Sequence, residues 1–240
     1  EDARWERRIS YVPGTNIAVA DSSFPGFALT VRQRDFALPD RDALVRRYTF
    51  TNATENGLSF RFVWHSSLHV DESDLYNTTL FDEAHDALVH YHRRSFFAVS
   101  GSSECAKFQC GRAREAADGG EPNGNAIDMQ PDGVLVWEFE GLPAGESVEL
   151  AVYIAAGADL AESLKLLSLV KGQTAAHWQR HTESYWREEL RRAGPGPGGS
   201  PEIAELYERS VLVFKLMADR DTGSLLAAPE LDERHVRCGG

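Results

Sequence analysis

Short segments in the first two thirds of the chain limit the fold more than any other feature of the sequence. Most of them alternate strictly between apolar and polar residues, and one is rich in residues that favour strands. These segments are Phe27–Arg32, Leu44–Phe50, Leu58–Trp64, Val134–Glu140 and Val148–Ile154. A period of two residues indicates β-strands with one buried face. Because turn residues separate the segments, we predict an antiparallel sandwich of two β-sheets from Ser10 to about Ala155.

The periodicity changes after Ala155. Apolar residues then recur every three or four positions in two successive segments, as expected for amphipathic helices. The positions are Leu160, Leu164, Leu167 and Val170, followed by Ala175, Trp178, Thr182, Tyr185, Trp186 and Leu190. Gly194–Gly199 alternates glycine with proline and cannot hold a helix, which predicts a linker.

A third helix is predicted after the linker. Ser200 is a favourable N-cap, Pro201 suits the first helical position, and the polar turn Asp219–Gly223 ends the element. Its expected apolar stripe consists of Ile203, Leu206, Tyr207, Val211, Phe214 and Met217. A single helix cannot bury such a stripe by itself, so we expect it to need a partner.

Charge and hydropathy exclude several classes of protein. The formal net charge is −12, with 42% hydrophobic and 26% charged residues. Such a chain repels phosphate groups, which argues against nucleic-acid and anionic-membrane partners. No apolar run reaches the roughly 18–20 residues that span a bilayer, and no basic and apolar leader pattern stands at the start. The compartment stays open, with the cytoplasm preferred to secretion.

The cysteines and histidines do not predict a metal site. Cys105, Cys110 and Cys238 are too few for a disulfide framework, and free thiols are preferred to a short Cys105–Cys110 bridge. His65 and His69, in a strand, would stand about 13 Å apart. His90 and His92 share a strand face but lack cysteine or carboxylate partners at ligand spacing. We expect neither a metal nor a cofactor.

Acidic and aromatic clusters also have structural explanations. Asp71–Asp74 lacks the glycine and terminal glutamate of a calcium loop and is predicted to be a solvated turn. Glu188 and Glu189 are adjacent on a helix, so they do not converge on one substrate atom, and we expect a solvated face. Most aromatics are assigned to packing rather than to sugar stacking: Trp64 and Trp137 to the core, and Trp178, Tyr185 and Trp186 to docking of the helix.

Two long segments resemble a known enzyme family. Leu206–Lys215, followed by Asp219–Pro229, is similar to the start of the catalytic domain of prokaryotic glucoamylase-type glycoside hydrolases, a family that includes glucodextranases and some trehalases. Val31–Phe36, Asp42–Tyr48 and Phe81–Tyr91 are similar to the N-terminal β domain of these enzymes. The resemblance spans nearly the whole chain.

The resemblance implies a mainly β fold: an antiparallel two-sheet super-sandwich, a helical linker and the first helix of a truncated (α/α)6 barrel. We assign these parts to residues 1–157, 158–199 and 200–240. In the family, two barrel glutamates hydrolyse α-glucosides with inversion, and both would lie beyond Gly240. His235–Gly240 is similar to the approach to the first substrate-lining loop, but Arg237 receives no role. No catalytic, substrate-binding or metal-binding residue is therefore expected in this chain.

The function expected from the resemblance is a non-catalytic domain that supports folding and positioning of a catalytic barrel, which would be its main partner. The substrate stays open between α-glucans, dextran-type glucans and trehalose. One alternative is a sandwich that binds carbohydrate itself, without a hydrolytic role. Another is self-association through the apolar stripe of the third helix.

Overall fold

A computed structural model describes residues 6–24, 26–70, 76–119, 121–219 and 222–226. Strands occupy the first two thirds of the chain and helices the rest. The strands are β1 (Glu6–Tyr11), β2 (Ala18–Phe24), β3 (Leu29–Ala37), β4 (Ala43–Asn52), β5 (Leu58–Ser67), β6 (Thr78–Asp82), β7 (Ala87–His92), β8 (Ser95–Gly101), β9 (Lys107–Cys110), β10 (Ile127–Asp128), β11 (Asp132–Leu142) and β12 (Ser147–Gly157). The helices are α1 (Ala113–Ala117), α2 (Leu160–Lys171), α3 (Ala175–Ala193) and α4 (Pro201–Leu216).

The strands form two antiparallel sheets of very different width. The wide sheet has nine strands in the order β1-β2-β3-β4-β12-β8-β7-β6-β10, and the narrow sheet has three in the order β5-β11-β9. With strands spaced about 4.8 Å apart, the wide sheet measures about 38 Å across and the narrow one about 10 Å. The predicted mainly β, two-sheet fold is confirmed.

An aromatic core joins the two sheets. Phe50 of β4 lies 5.2 Å from the ring centroids of both Phe60 and Phe62 of β5. At the other side of the narrow sheet, Phe81 of β6 stacks on Phe108 of β9, with centroids 3.6 Å apart. The narrow sheet therefore covers the wide sheet from β4 to β6 and leaves the inner face of β1–β3 without a second layer.

The opposite face of the wide sheet is covered by helices. The core on this side combines strand residues such as Val45 and Tyr153 with Leu167 of α2 and Trp178 of α3. The indole N–H of Trp178 donates to the carbonyl of Val170, which fixes α3 to α2 at 2.8 Å. This layer forms because successive residues of a strand point to opposite faces, so one sheet serves two cores.

Both helices of this layer are capped at the N-terminus by the side chain of the residue that precedes the first turn. Asp159 accepts a hydrogen bond from the Glu162 N–H at 2.8 Å, and Thr174 accepts one from the His177 N–H at 3.1 Å. Each oxygen satisfies one of the donors that a helix leaves free at its first turn. No helix among the described residues has the length and hydropathy needed to cross a bilayer.

Trp137 is held by a close approach to the wide sheet. Its ring lies against Gly101, where a Cβ atom would stand 2.6 Å from the indole. The indole N–H donates to the carbonyl of Ser103 at 3.0 Å, and only 2% of the residue is exposed. The expected core position of Trp137 is confirmed, and position 101 requires glycine.

Glycine and asparagine are frequent between Glu115 and Pro131, a composition that favours a long exposed connection, but this segment contains regular structure. Helix α1 extends to Ala117, and β10 adds a short edge to the wide sheet through the pair Ile127–Leu80. The hydrogen bonds of β10 come from the backbone, so the side-chain pattern did not reveal them. Cys105 and Cys110 are free thiols, as preferred from the sequence, while Cys238 lies outside the described residues.

A buried histidine connects the sheets through hydrogen bonds. Nδ1 of His90 in β7 lies 3.1 Å from the Thr79 hydroxyl, and Nε2 lies 2.8 Å from the Ser66 hydroxyl of β5. Thr79 donates its own proton to the carbonyl of Gln130, so Nδ1 of His90 donates to Thr79. Burial lowers the pKa of His90 from 6.5 to about 4, so the ring is neutral at pH 7 and Nε2 accepts from Ser66.

Stability should therefore depend on the protonation of His90. The unfolded chain takes up this proton near pH 6.5 and the folded chain only near pH 4, so the contribution of His90 is complete above pH 6.5 and is lost as the pH falls to 4. We expect a loss of roughly 3 kcal/mol across this window. The measurement is the urea unfolding free energy from pH 7 to pH 4, with NMR titration of the ring as a direct reading of the pKa.

His90→Gln should remove most of this pH dependence, because an amide does not titrate. His177→Gln, at an exposed position of α3, should leave it unchanged. An NMR pKa for His90 near 6.5 would contradict the assignment even if the variant does not fold.

Candidate functional site

A deep groove opens where the narrow sheet ends. Its floor is formed by residues on the inner face of β1–β4, and its wall is β5, an edge strand of the narrow sheet in the described structure. The cavity has a volume of about 880 Å³, within the range of about 300–1,000 Å³ that ligand pockets occupy. We call this cavity the inter-sheet groove.

Gln33, Arg46 and Trp64 line the inter-sheet groove, and Asp35 contacts this group without lining the groove itself. The guanidinium of Arg46 lies over the ring of Trp64, 5.3 Å from its centroid. Arg46 Nε also stands 3.6 Å from Asp35 Oδ2, and the Gln33 amide donates to that same oxygen at 2.7 Å. Because β3 and β4 pair Asp35 with Arg46 and Gln33 with Tyr48, these side chains share the groove face of the wide sheet.

Three buried polar atoms in this group have no hydrogen-bond partner. They are Asp35 Oδ1, Arg46 Nε and Trp64 Nε1. Trp64 is only 8% exposed, so its free N–H is costly unless something binds it. One acceptor and two donors are therefore unsatisfied next to a cavity of ligand size.

Tyr48 completes the floor of the inter-sheet groove as a neutral phenol. Burial raises the pKa of Tyr48 to about 12, and the charge of Arg46 opposes that shift only in part. The hydroxyl therefore keeps its proton at neutral pH.

The described carboxyl groups whose pKa is shifted differ from the general acid of a glycosidase. A general acid of a glycosidase needs a raised pKa. Six described carboxyl groups have a shifted pKa, and in all six the shift is downward, mainly because of a hydrogen bond from a neighbouring side chain. They are Asp21, Asp40, Glu121, Glu188, Glu189 and Glu202. No Asp or Glu stands among the described residues that line the groove.

A second surface of interest is α4, which is fixed to the β1–β2 connection by one arginine. Arg209 donates to the carbonyl of Thr15 at 3.0 Å and to the side-chain oxygen of Asn16, and its guanidinium lies 4.2 Å from the centroid of the Tyr11 ring. The Asn16 amide donates back to the carbonyl of Leu212 at 2.9 Å. These contacts set the orientation of α4 relative to the sheet.

The expectation that Glu188 and Glu189 form a solvated face is wrong for Glu189. This residue is 7% exposed and forms ion pairs with Arg192, at 3.0 Å, and with Lys215 of α4, at 2.9 Å. It is buried because α4 packs across the end of α3. Glu188 is paired with Arg191 and Arg192, and the Arg191 hydrogen bond lowers the pKa of Glu188 to about 2.

Half of the predicted apolar stripe of α4 is exposed, and the other half, Tyr207, Val211 and Met217, is partly buried by the rest of the described chain. Ile203, Leu206 and Phe214 are 48%, 68% and 63% exposed. Leu212, which lies outside the predicted stripe, is the residue that α4 buries, because Arg209 turns this side of the helix toward the sheet. Ser200 has the extended N-cap conformation, without the side-chain hydrogen bond to the helix backbone that usually accompanies it.

The histidines and acids considered as metal ligands are separated. His65 is exposed on β5, whereas His90 and His92 are buried on β7. The described residues contain no group of three His, Cys, Asp or Glu side chains that could hold a metal ion. Asp71–Asp74 lies outside the described residues.

The aromatic predictions agree with the structure for the tryptophans. Trp64 and Trp137 are buried in the inter-sheet core, and Trp178 and Trp186 of α3 are 5% and 8% exposed, while Tyr185 is only half-buried. No sequence pattern predicted the inter-sheet groove. The available signal was the polar pair Gln33 and Asp35, which follows Leu29 and Val31 on the same face of β3.

Comparison with known proteins finds similarity in structure only. No family model and no curated protein matches this sequence. The fold is similar to bacterial glucoamylase solved in complex with acarbose, with a TM-score of 0.70 and 10% identity over 89% of this chain and 32% of that one. It is also similar to a family GH92 α-mannosidase from Bacteroides thetaiotaomicron, with a TM-score of 0.52 and 12% identity over 87% and 27% of the two chains. The chain thus spans about a third of these enzymes or less.

The unsatisfied indole N–H of Trp64 can be tested by stability. Trp64→Phe and Trp137→Phe remove the same atoms from the same sandwich, but only Trp137 donates a hydrogen bond, to Ser103. We expect Trp137→Phe to lower the unfolding free energy by about 1 kcal/mol more than Trp64→Phe, because it removes a formed hydrogen bond whereas Trp64→Phe removes an N–H that has none. Equal losses in urea unfolding would show that Trp64 has a partner in solution.

Proposed function

We propose that this chain is a non-catalytic β domain of a glucoamylase-like, inverting α-glucoside hydrolase. The observation that carries this proposal is the shared two-sheet and helix architecture with bacterial glucoamylase over 89% of the chain. In the proposal, residues 1–157 form the sandwich, residues 158–199 form the helical connector and linker, and residues 200–240 begin an (α/α)6 catalytic domain. The substrate class is an α-glucan or a small α-glucoside.

The proposed role of the domain is to position a catalytic helical domain through α4. The exposed side of α4 is an apolar stripe, whereas its opposite side is fixed by Arg209 and by the Glu189–Lys215 ion pair. Exposed apolar residues grouped on one face are a common feature of interaction sites. A helix held firmly on one side and apolar on the other is well suited to serve as the first member of a larger helical layer.

The pKa shifts of the carboxyl groups support the assignment of the catalytic step to the proposed partner rather than to the β domain. An inverting glycosidase needs two carboxyl groups about 6.5–9.5 Å apart, one of them with a raised pKa. The shifted carboxyl groups of this chain are lowered instead, by neighbours such as Arg191 for Glu188 and Lys215 for Glu189. We therefore assign the chemistry to the proposed catalytic domain.

The carbohydrate-binding alternative is favoured by one specific observation. Three unpaired polar atoms border the aromatic inter-sheet groove. This role does not exclude the first, because the groove and α4 involve different elements.

The proposed activity is tested with the parent protein purified as it is encoded and with the 240-residue chain alone. Both receive maltotetraose, isomaltotriose and trehalose, and ¹H NMR follows the anomeric protons. We expect the parent to release β-glucose, the inverted product, from at least one substrate, and the chain alone to release none. Release by the chain alone, or a parent that yields α-glucose as the first product from maltotetraose or isomaltotriose, would overturn the assignment; trehalose gives one α- and one β-glucose under inversion.

The role of α4 is tested by a charge on its apolar stripe. Phe214→Asp in the parent protein should reduce glucose release about tenfold, the effect of losing about 1.4 kcal/mol of docking free energy. Ile127→Asp is the matched control, because Ile127 is 58% exposed compared with 63% for Phe214 but lies on β10. In the chain alone, we expect both changes to alter the unfolding free energy by no more than about 0.5 kcal/mol.

Two outcomes would contradict docking through α4. One is an equal effect of the two substitutions on activity. The other is self-association of the parent, measured by analytical ultracentrifugation, that Phe214→Asp abolishes without any effect on glucose release.

A further inference from the structure

We propose that the inter-sheet groove binds a small amphipathic carboxylate, a molecule with an acidic head on an apolar chain. This inference goes beyond the proposed function, because neither docking of α4 nor hydrolysis takes part in it. The described residues that line the groove do not include Tyr11, Thr15 or Asn16, which hold Arg209 of α4. A ligand in the groove would therefore be held by the β domain alone.

The first argument is the sign of the charge along the groove. Three arginines, Arg7, Arg46 and Arg61, line it, and no Asp or Glu stands among the described residues of the lining. The whole chain has a formal net charge of −12, so a lining that is only basic differs in sign from the chain as a whole. Such a lining attracts an anion and disfavours a cation.

The three arginines differ in how far their charges are compensated. Arg46 stands 3.6 Å from Asp35, and Arg61 stands 2.7 Å from Glu121. Arg7 has no ion pair or hydrogen bond with any described residue, and it is exposed on β1, the edge strand of the wide sheet. A guanidinium can hold a carboxylate through two parallel N–H donors. Arg7 is therefore the side chain available to the acidic head of a ligand.

The second argument is the row of residues that begins at Arg7. Strand pairing places Arg7 beside Ser22, Ser22 beside Val31, and Val31 beside Phe50. Paired residues point to the same face of a sheet, and all four residues line the groove. Two strand spacings, about 10 Å, separate Arg7 from Val31. The row thus leads from a charged edge into an apolar interior, in the order that the head and chain of an amphipathic ligand require.

The third argument is the apolar character of the rest of the lining. Phe27 is 41% exposed in the connection between β2 and β3, and Leu29, Val31 and Phe62 line the groove as well. An apolar chain gains free energy when it leaves water for such a surface. A small inorganic anion would use Arg7 alone and would leave most of the volume of about 880 Å³ unused.

The experiment compares ligands that differ in one part at a time. Decanoate, decyl glucoside and decylammonium have the same apolar chain and a negative, a neutral and a positive head. Maltotriose tests carbohydrate binding, the alternative role of the same groove. Isothermal titration calorimetry measures the affinity of the 240-residue chain for each, below the concentration at which micelles form. We expect saturable binding of decanoate, about tenfold or more tighter than the other three, because only its carboxylate pairs with Arg7.

Substitution of Arg7 tests the position of the acidic head. Arg7→Gln should weaken the binding of decanoate about tenfold, because it removes a charge-assisted hydrogen bond. The same change should leave the affinity for decyl glucoside unchanged. Arg8→Gln is the matched control, since Arg8 is the next residue of β1, is also exposed and points to the opposite face of the sheet. It should leave both affinities unchanged.

Substitution of Phe27 tests the position of the apolar chain. Phe27→Ala should weaken decanoate and decyl glucoside by the same factor, because both ligands have the same chain. Phe214→Ala makes the same change at an exposed position of α4 and should leave both affinities unchanged. The circular dichroism spectra of all four variants should match that of the original chain.

Several results would overturn the inference. These are the absence of saturable heat with decanoate, binding of decyl glucoside or decylammonium as tight as that of decanoate, and equal effects of Arg7→Gln and Arg8→Gln. Saturable binding of maltotriose that decanoate displaces would assign the groove to carbohydrate instead. Each result can be distinguished from failure of the proposed enzymatic role, because that role is measured by glucose release from the parent and not by binding to the groove.

Discussion

The unequal width of the two sheets is the constraint on which the remaining structure depends. A sheet of nine strands has more apolar surface than a sheet of three can cover, so the chain must cover the rest in other ways. On one face, α2 and α3 supply a complete second core. On the other face, the inter-sheet core stops at the aromatic contacts between β4 and β5. The inter-sheet groove is the direct result of this ending.

The inter-sheet groove and α4 differ in the residues that they expose to solvent. At the groove, the strand pairing of Asp35 with Arg46 places polar side chains on a face that would otherwise be apolar. At α4, the polar contacts of Arg209 and Glu189 face inward, and the apolar residues face outward. Arginines beside an apolar floor suit a small amphipathic anion, and an apolar helix face suits a protein surface. The proposed binding site in the groove therefore needs a charged surface, whereas the proposed docking helix needs an apolar one.

The sequence predicts those parts that depend on local periodicity. Alternation in Leu58–Trp64 and Val134–Glu140 is enough for strands, since one face of each is buried whatever their neighbours are. The alternation of apolar and polar residues does not predict that β12 lies between β4 and β8. This non-local strand order determines where the narrow sheet ends. The groove was missed for that reason. Likewise, helical periodicity predicts α4, but the buried position of Glu189 depends on a contact with Lys215 that no local pattern contains.

Strand β5 has one further consequence, for behaviour at high concentration. An unpaired strand at the margin of a sheet offers backbone donors and acceptors to a second molecule, which is a common start of fibril growth. Outward positions of β5 have Ser59, Arg61, His65 and Ser67, all exposed, and only Val63 among them is apolar. Charged and polar side chains on an edge strand disfavour such pairing. The polar outer face of β5 thus works against association of two molecules along this margin.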